Sequence, residues 1–219
     1  MSDIRIEGVM KEGNRLFTTV TVGQSESVYG EKIVHKKNKT FRSWNPYRSK
    51  LAAAILKKTN ILCSKENKIL YLGAATGTTV SHLSDILIQG TVYAVEVSPF
   101  AMQKLIELSK KRKNILPILA DAFHPEKYRH IVPEVDIVYQ DISQRNQLEI
   151  FIKNIENYLK KNGYGIIMVK ARSINVTMEP NKVYEEIKQK LQQQSYKITD
   201  YKKLDPYAKD HACIVVRRS

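Results

Sequence analysis

Cysteine is scarce in this chain of 219 residues: there are two, Cys63 and Cys213, each in apolar surroundings. That argues against a disulfide framework or a thiolate metal cluster, and the pair reads as buried small hydrophobes in a reducing compartment. The five histidines show no metal-ligand spacing, so no metal site is expected. No stretch approaches the roughly 18 apolar residues of a membrane span. The N-terminal MSDIRIEGVMKEG carries acids and no apolar signal-peptide core, so neither secretion nor membrane association is expected. Internal repeats and low-complexity tracts are missing too. The remaining shortage is acid: 22 Asp and Glu stand against 36 Lys and Arg, a net charge of +14. That imbalance disfavours small neutral substrates and points to a polyanion, because each phosphate contact releases counterions.

Hydrophobic residues make up 42%, enough for a sizeable core. Residues 1 to about 40 alternate apolar and polar. Leu16, Thr18, Val20 and Val22 share one strand face and Phe17, Thr19 and Thr21 the other, and stretches 4–9 and 28–34 read similarly, with Gly13-Asn14 and Gly23 as turn signals. A small N-terminal antiparallel β domain over 1–45 is expected, ahead of a larger domain over 46–219. A basic, aromatic linker, HKKNKTFRSWNPYRSK, follows at 35–50; its stretch from Lys36 to Lys50 is the expected nucleic-acid surface, with Trp44 and Tyr47 as stacking or packing groups. Asn45-Pro46 reads as the N-cap and first position of a helix running to about Lys57.

Beyond it, apolar strand candidates at 69–72, 92–97, 115–119, 135–139 and 165–169 alternate with helical stretches at 78–88, 99–111, 145–161 and 181–193. Near-continuous apolar strands between helices imply a parallel sheet covered on both faces. Stretches 196–204 and 212–216 have no helix between them and are expected to pair antiparallel at the sheet edge. The expected fold is α/β and Rossmann-like: a mostly parallel seven-stranded sheet with an antiparallel C-terminal hairpin, the class I methyltransferase layout.

The most informative segment is KILYLGAATGTTVSH, 68–82. Its apolar run stops at Gly73, small residues Gly73, Ala74, Ala75, Thr76 and Gly77 follow, and then a helix can begin. A tight glycine turn between a strand and a helix lets backbone approach a nucleotide-like ligand. The spacing is Gly-x-x-x-Gly, not the Gly-x-Gly-x-x-Gly of dinucleotide folds. Ligands of open α/β sheets bind beyond the carboxyl ends of the strands. There the second strand offers Glu96, able to accept from both ribose hydroxyls of an adenosine. The third ends in Asp121-Ala122, suited to an adenine ring, although a turn acid is the plainer role. The fourth ends in Asp141, Ile142, Ser143 and Gln144; a carboxylate so placed needs a cation. The fifth ends in Lys170, opposite Asp141. His211 opens the last strand and Lys50 opens the helix after the basic linker.

In combination, FRSWNPYRSKLAAAI, YLGAATGTTVSH, DIVYQDISQRNQ and DPYAKDHACIV resemble the fibrillarin family in its short archaeal form, over essentially the full length. The chain departs from the pattern in three places. Thr76 stands where a serine is expected, with its helix-capping hydroxyl kept, and Ser143 and Arg145 stand where alanine and proline are usual. The resemblance implies S-adenosylmethionine-dependent 2′-O-methylation of RNA, ribosomal RNA alone or transfer RNA too, in a box C/D guide ribonucleoprotein. It implies as partners guide and substrate RNA, a Nop-type scaffold protein and a kink-turn-binding protein of ribosomal type. A cytoplasmic location in an archaeal cell is implied too. A family Lys-Asp-Lys-His tetrad falls on Lys50, Asp141, Lys170 and His211. The cofactor positions fall on Thr78, Thr79, Glu96, Val97, Asp121, Ala122 and the run Asp141 to Gln144, in addition to the turn Gly73, Ala74, Thr76 and Gly77.

In that reading Lys170 is the base for the ribose hydroxyl, or the cation that steadies the alkoxide, and Asp141 holds the lysine. Three readings compete. A methyltransferase fold kept as a non-catalytic RNA- or protein-binding subunit would not need Asp141 and Lys170. An NAD-dependent oxidoreductase would want the third glycine. A polyamine synthase would want an acidic cleft. No base-reading RNA module is visible, which fits a target chosen by guide pairing.

Overall fold

A computed structural model of the chain describes residues 6–20, 26–36 and 38–218. The expected strand positions Ile4, Thr21 and Val22, the turn at Gly23 and one linker lysine, Lys37, lie outside the described residues.

Two sheets organise the molecule. The smaller is antiparallel and contains β1 (Val9–Glu12), β2 (Arg15–Val20), β3 (Ile33–Lys36) and β4 (Lys39–Trp44), in the order β1-β2-β4-β3. Gly13 and Asn14 turn β1 into β2, as their sequence signals, with Glu12 opposite Arg15. Two expectations change here. The first and third strands start later than 4–9 and 28–34 suggest: Ile6 makes only an isolated bridge to Cys63, and 28–32 form a turn around Glu31. The basic linker is largely a strand, since 39–44 is β4 at the sheet's interior, paired on both sides. Its Trp44 is 1% exposed, so packing, not stacking on RNA, is its role.

The helix expected from Pro46 begins later, as α1 (Lys50–Leu56). Asn45 instead nucleates a turn, its Oδ1 accepting from the Tyr47 N–H at 2.9 Å. Ser49 is the cap, accepting from the Ala52 N–H.

The larger sheet contains β5 (Lys68–Leu72), β6 (Thr91–Glu96), β7 (Ile115–Leu119), β8 (Val135–Gln140), β9 (Leu159–Lys170), β10 (Lys197–Lys203) and β11 (His211–Arg217), in the order β10-β11-β9-β8-β5-β6-β7. The five strands from β9 to β7 run parallel, and β11 joins β9 antiparallel, followed by β10. The crossovers are α2 (Thr78–Ile86), α3 (Pro99–Lys111), α4 (Gln147–Tyr158), the short α5 (Ala171–Ile174) and α6 (Pro180–Gln193). Strand β9 starts six residues before the expected 165, and α4 correspondingly stops short of 161. The polar KKNG within β9, with Asn162 in the left-handed region, hides that strand from apolar patterning.

Alternation along each strand fills two cores. Ile69 and Tyr71 of β5 face a layer built from α1, α2 and α3; Leu70 and Leu72 face one built from α4 and α6. The first layer also contains Leu16 and Trp44, so the N-terminal sheet shares its core with the larger sheet. Both cysteines are buried and free, and burial raises both thiols, Cys63 to about 12, which leaves them inert. Among the described residues no helix is long and apolar enough to cross a membrane.

Buried charge fastens the N-terminal sheet to α2. Asp85 of α2 accepts from Arg42 of β4 at 2.8 Å, from Arg112 at 2.5 Å and from the Thr18 hydroxyl at 2.7 Å. Arg42 also meets Glu31 at 2.6 Å, and all four charged side chains are essentially solvent-free. Burial alone would raise Glu31, but the N–H groups of Tyr29 and Val28, with Arg42, hold it at about 2. Burial pushes His82 well below the usual imidazole range, aided by Arg42 and Arg112. Since Thr18 gives its proton to Asp85, the neutral ring donates from Nδ1 to Thr18 and accepts at Nε2 from the Tyr29 hydroxyl, at 2.8 and 2.7 Å.

Candidate active site

The turn after β5 is tight because two side chains are missing from it. Gly73 has φ +82°, and a Cβ there would lie 2.7 Å from the Asp141 carbonyl oxygen. Gly77 has φ +91°, and a Cβ would lie 2.6 Å from Leu108 Cδ2. The turn is thus pressed between the end of β8 and α3, with Asp141 directly behind it. The turn's N–H groups are mostly used internally, contrary to expectation. Those of Gly73 and Ala74 meet the Val95 carbonyl, that of Gly77 meets the Ala74 carbonyl, and that of Ala75 meets Glu96. The helix cap is Gly77 itself with no side-chain capping bond, so the Thr76 hydroxyl, which is exposed, does not serve the expected capping role.

Glu96 is 9% exposed and stands where its strand end put it. Oε2 accepts from Ala75 N at 2.7 Å and Oε1 from Ser98 N at 2.8 Å. Each carboxylate oxygen keeps a second lone pair, so vicinal hydroxyls can still be received. Val97 beside it is 57% exposed. Asp121 is exposed and turns back on its own loop, accepting from the Phe123 N–H at 2.9 Å, while Ala122 is buried. Thr78 is half-buried and Thr79 buried in the first turn of α2. Ile142, Ser143 and Gln144 lead away from Asp141 along the same rim.

Asp141 finds its cation, but not the expected one. Lys50 Nζ lies 3.0 Å from Asp141 Oδ1 and 3.2 Å from Oδ2, with the side chains 27% and 15% exposed. Among the described residues no ion pair or hydrogen bond engages the Lys170 ammonium. Lys170 is nonetheless beside the pair: it ends β9 and stands directly opposite His211 in the β9–β11 register. Burial lowers His211 from its ordinary value, and the charges of Lys50 and Lys170 push the same way against Asp141. The four tetrad positions therefore share one electrostatic site. The His211 Nδ1–H donates to the Lys209 carbonyl at 2.6 Å, which leaves Nε2 as the acceptor of a neutral ring.

Two further residues shape the site and were not singled out from sequence. The Ser49 hydroxyl caps α1 and meets the Thr79 hydroxyl at 2.9 Å, joining the helix that starts with Lys50 to the helix that closes the glycine turn. Gln147 is fully buried. It donates to the carbonyls of Gln144 and Lys170 and accepts from the Lys170 N–H at 3.2 Å, so it fixes the rim and the lysine's backbone together. A glutamine opening an amphipathic helix is a faint sequence signal; the Ser49 link gives none, being thirty residues long in sequence. Among the described residues no group of three or more His, Cys, Asp or Glu could hold a metal ion.

The fibrillarin family model matches residues 3–219. A fibrillarin-like rRNA/tRNA 2′-O-methyltransferase of Methanocaldococcus jannaschii is 42% identical, covering 98% of this chain and 97% of its own. A solved fibrillarin/Nop5p complex superposes with a TM-score of 0.89 at 45% identity, over 97% of this chain and 98% of that one. The Aeropyrum pernix fibrillarin, solved with natively bound S-adenosyl-L-methionine, does so at 0.86 and 42% identity, over 97% and 95%. With the glycine turn, the acid at the end of β6 and the tetrad on one rim of a methyltransferase sheet, this chain belongs to the fibrillarin family.

Proposed function

We propose that the chain is an RNA 2′-O-methyltransferase that uses S-adenosylmethionine, acting as the catalytic subunit of a box C/D guide ribonucleoprotein. The observation that carries this reading is the Lys50–Asp141 pair at 3.0 Å, pressed against Gly73 with Lys170 and His211 beside it. It is supported by relatives named as rRNA/tRNA 2′-O-methyltransferases, and by fibrillarins solved with S-adenosyl-L-methionine and with Nop5p. A Nop-type protein is the scaffold partner in this reading; guide RNA and a kink-turn-binding protein complete the particle.

The residues fit that cofactor. Gly73 and Gly77 keep the turn free of side chains, Glu96 can receive ribose hydroxyls, and the Asp121-Ala122 and Asp141-to-Gln144 stretches follow the carboxyl ends of β7 and β8. When bound, the cofactor supplies an activated methyl group, so the protein's task is positioning. Asp141 neutralises Lys50 and fixes it on the rim. Among the described residues Lys170 has no carboxylate partner, and it is the group left to meet the ribose 2′-oxygen, as proton acceptor or as the cation facing developing negative charge. His211 offers Nε2 as an acceptor for the same hydroxyl. Lys170→Ala in the reconstituted complex is expected to abolish transfer while the cofactor still binds by calorimetry. Turnover retained by that variant overturns the assignment.

A further inference from the structure

Tyr47 is 66% exposed, yet it is not loosely placed. Its N–H is held by Asn45 Oδ1, and its ring meets that of Tyr207 edge-on, with centroids 5.3 Å apart at 69°. Tyr207 is in turn packed against the core, and its loop is tied down by Lys57 Nζ donating to the Asp205 carbonyl at 2.8 Å. Tyr47 lies three residues before Lys50, and Tyr207 four before His211. The two rings thus join the loop that leads to Lys50 to the loop that leads to His211. An exposed tyrosine alone is ordinary. One clamped by a second aromatic, between the loops that lead to Lys50 and His211 in a chain of net charge +14, is placed to meet a polyanion that enters there.

We propose that Tyr47, seated on Tyr207, is a substrate-positioning residue that contacts the sugar edge of the nucleotide next to the methylated one. This rests on the RNA 2′-O-methyltransferase reading. A target paired to a guide presents its 2′-hydroxyls in the wide, shallow minor groove of an A-form helix. Residues bordering the tetrad therefore meet neighbouring riboses, not base faces. The ring covers the flanking sugar and the phenol exchanges a hydrogen bond with its 2′-hydroxyl.

The test uses the full guide complex and single 2′-deoxy substitutions on either side of the target nucleotide. Tyr47→Ala is expected to raise KM for RNA roughly tenfold, with kcat and cofactor affinity kept. In the unaltered protein, a 2′-deoxy nucleotide at one flanking position raises KM roughly three- to tenfold. In Tyr47→Phe that same substitution has no further effect, whereas the ring contact is retained. The inference is overturned if no flanking position couples to Tyr47, or if Tyr47→Ala weakens retention of the scaffold protein with KM for RNA unchanged. A complex of the unaltered chain that binds cofactor but transfers no methyl overturns the enzyme reading itself, and this inference with it.

Discussion

The sharpest stability test is Asp85→Asn. Asp85 is completely buried and receives Arg42, Arg112 and Thr18, and the cluster balances two guanidiniums against Asp85 and Glu31. An amide in its place leaves one carboxylate for two buried guanidiniums and turns an NH2 toward donors. Removing one partner from a buried ion pair costs about 3–5 kcal/mol, against a total stability of about 5–15 kcal/mol for a domain. For a chain of this size each kcal/mol moves Tm by roughly 2–4 °C, so a fall of about 6–20 °C is expected. Glu107→Gln, which breaks an ion pair with both side chains more than 60% exposed, serves as the control and should leave Tm unmoved. Because Arg112 then loses its reason to be compensated, Asp85→Asn with Arg112→Met should be less damaging than the sum of the two single changes. Urea denaturation measures all of these, and hydrogen exchange locates the loss at α2 and the N-terminal sheet. A loss below about 1 kcal/mol for Asp85→Asn, or strict additivity in the double variant, refutes the reasoning.

Ser49→Ala should cost about 1 kcal/mol through the lost α1 cap, whereas Ser49→Gly, a tolerable cap without the hydroxyl, should keep stability and still lower kcat by releasing the start of α1, which carries Lys50, from Thr79; equal kcat in Ser49→Gly and the unaltered chain refutes the link. Acid should destabilise the fold in two steps. His82 and Glu31 both have folded values depressed below their ordinary 6.5 and 4.5, so their contributions are complete above those values and lost as pH falls. Urea midpoints should therefore decline below about pH 6.5 and more steeply from 4.5 towards 2, where Glu31 alone is worth roughly 3 kcal/mol; a flat profile from pH 7 to 4 contradicts this.

The order of strands and helices in the larger sheet is legible because each element is decided by its own apolar period. What escapes is decided elsewhere. β4 reads as a basic linker because an arginine on the inner face has the same letter as one in water; only Asp85 and Glu31, brought from 43 and 11 residues away, make Arg42 a core residue. The N-terminal part of β9 escapes because the polar residues 160–162 fall in an irregularity of its register with β8, between the Val135–Leu159 and Ile137–Tyr164 pairs.

The site was legible to the same depth. Reading the carboxyl ends of strands finds Glu96, Asp141 and Lys170, since the topology puts every such end on one rim. It also shows that Asp141 needs a cation, but two lysines can answer, and strand adjacency favours Lys170. The structure decides otherwise for a local reason. Ser49 caps α1 and is bound to Thr79, Thr79 belongs to the helix that closes the glycine turn, and Gly73 of that turn rests on the Asp141 carbonyl. Lys50 is therefore set opposite Asp141 by the contacts that build the glycine turn, while Gln147 holds the Lys170 backbone. In the proposed mechanism Asp141 holds one lysine and the other is left to meet the substrate. That division of labour asks for two lysines and one aspartate, and neither lysine could be spared by strengthening the other.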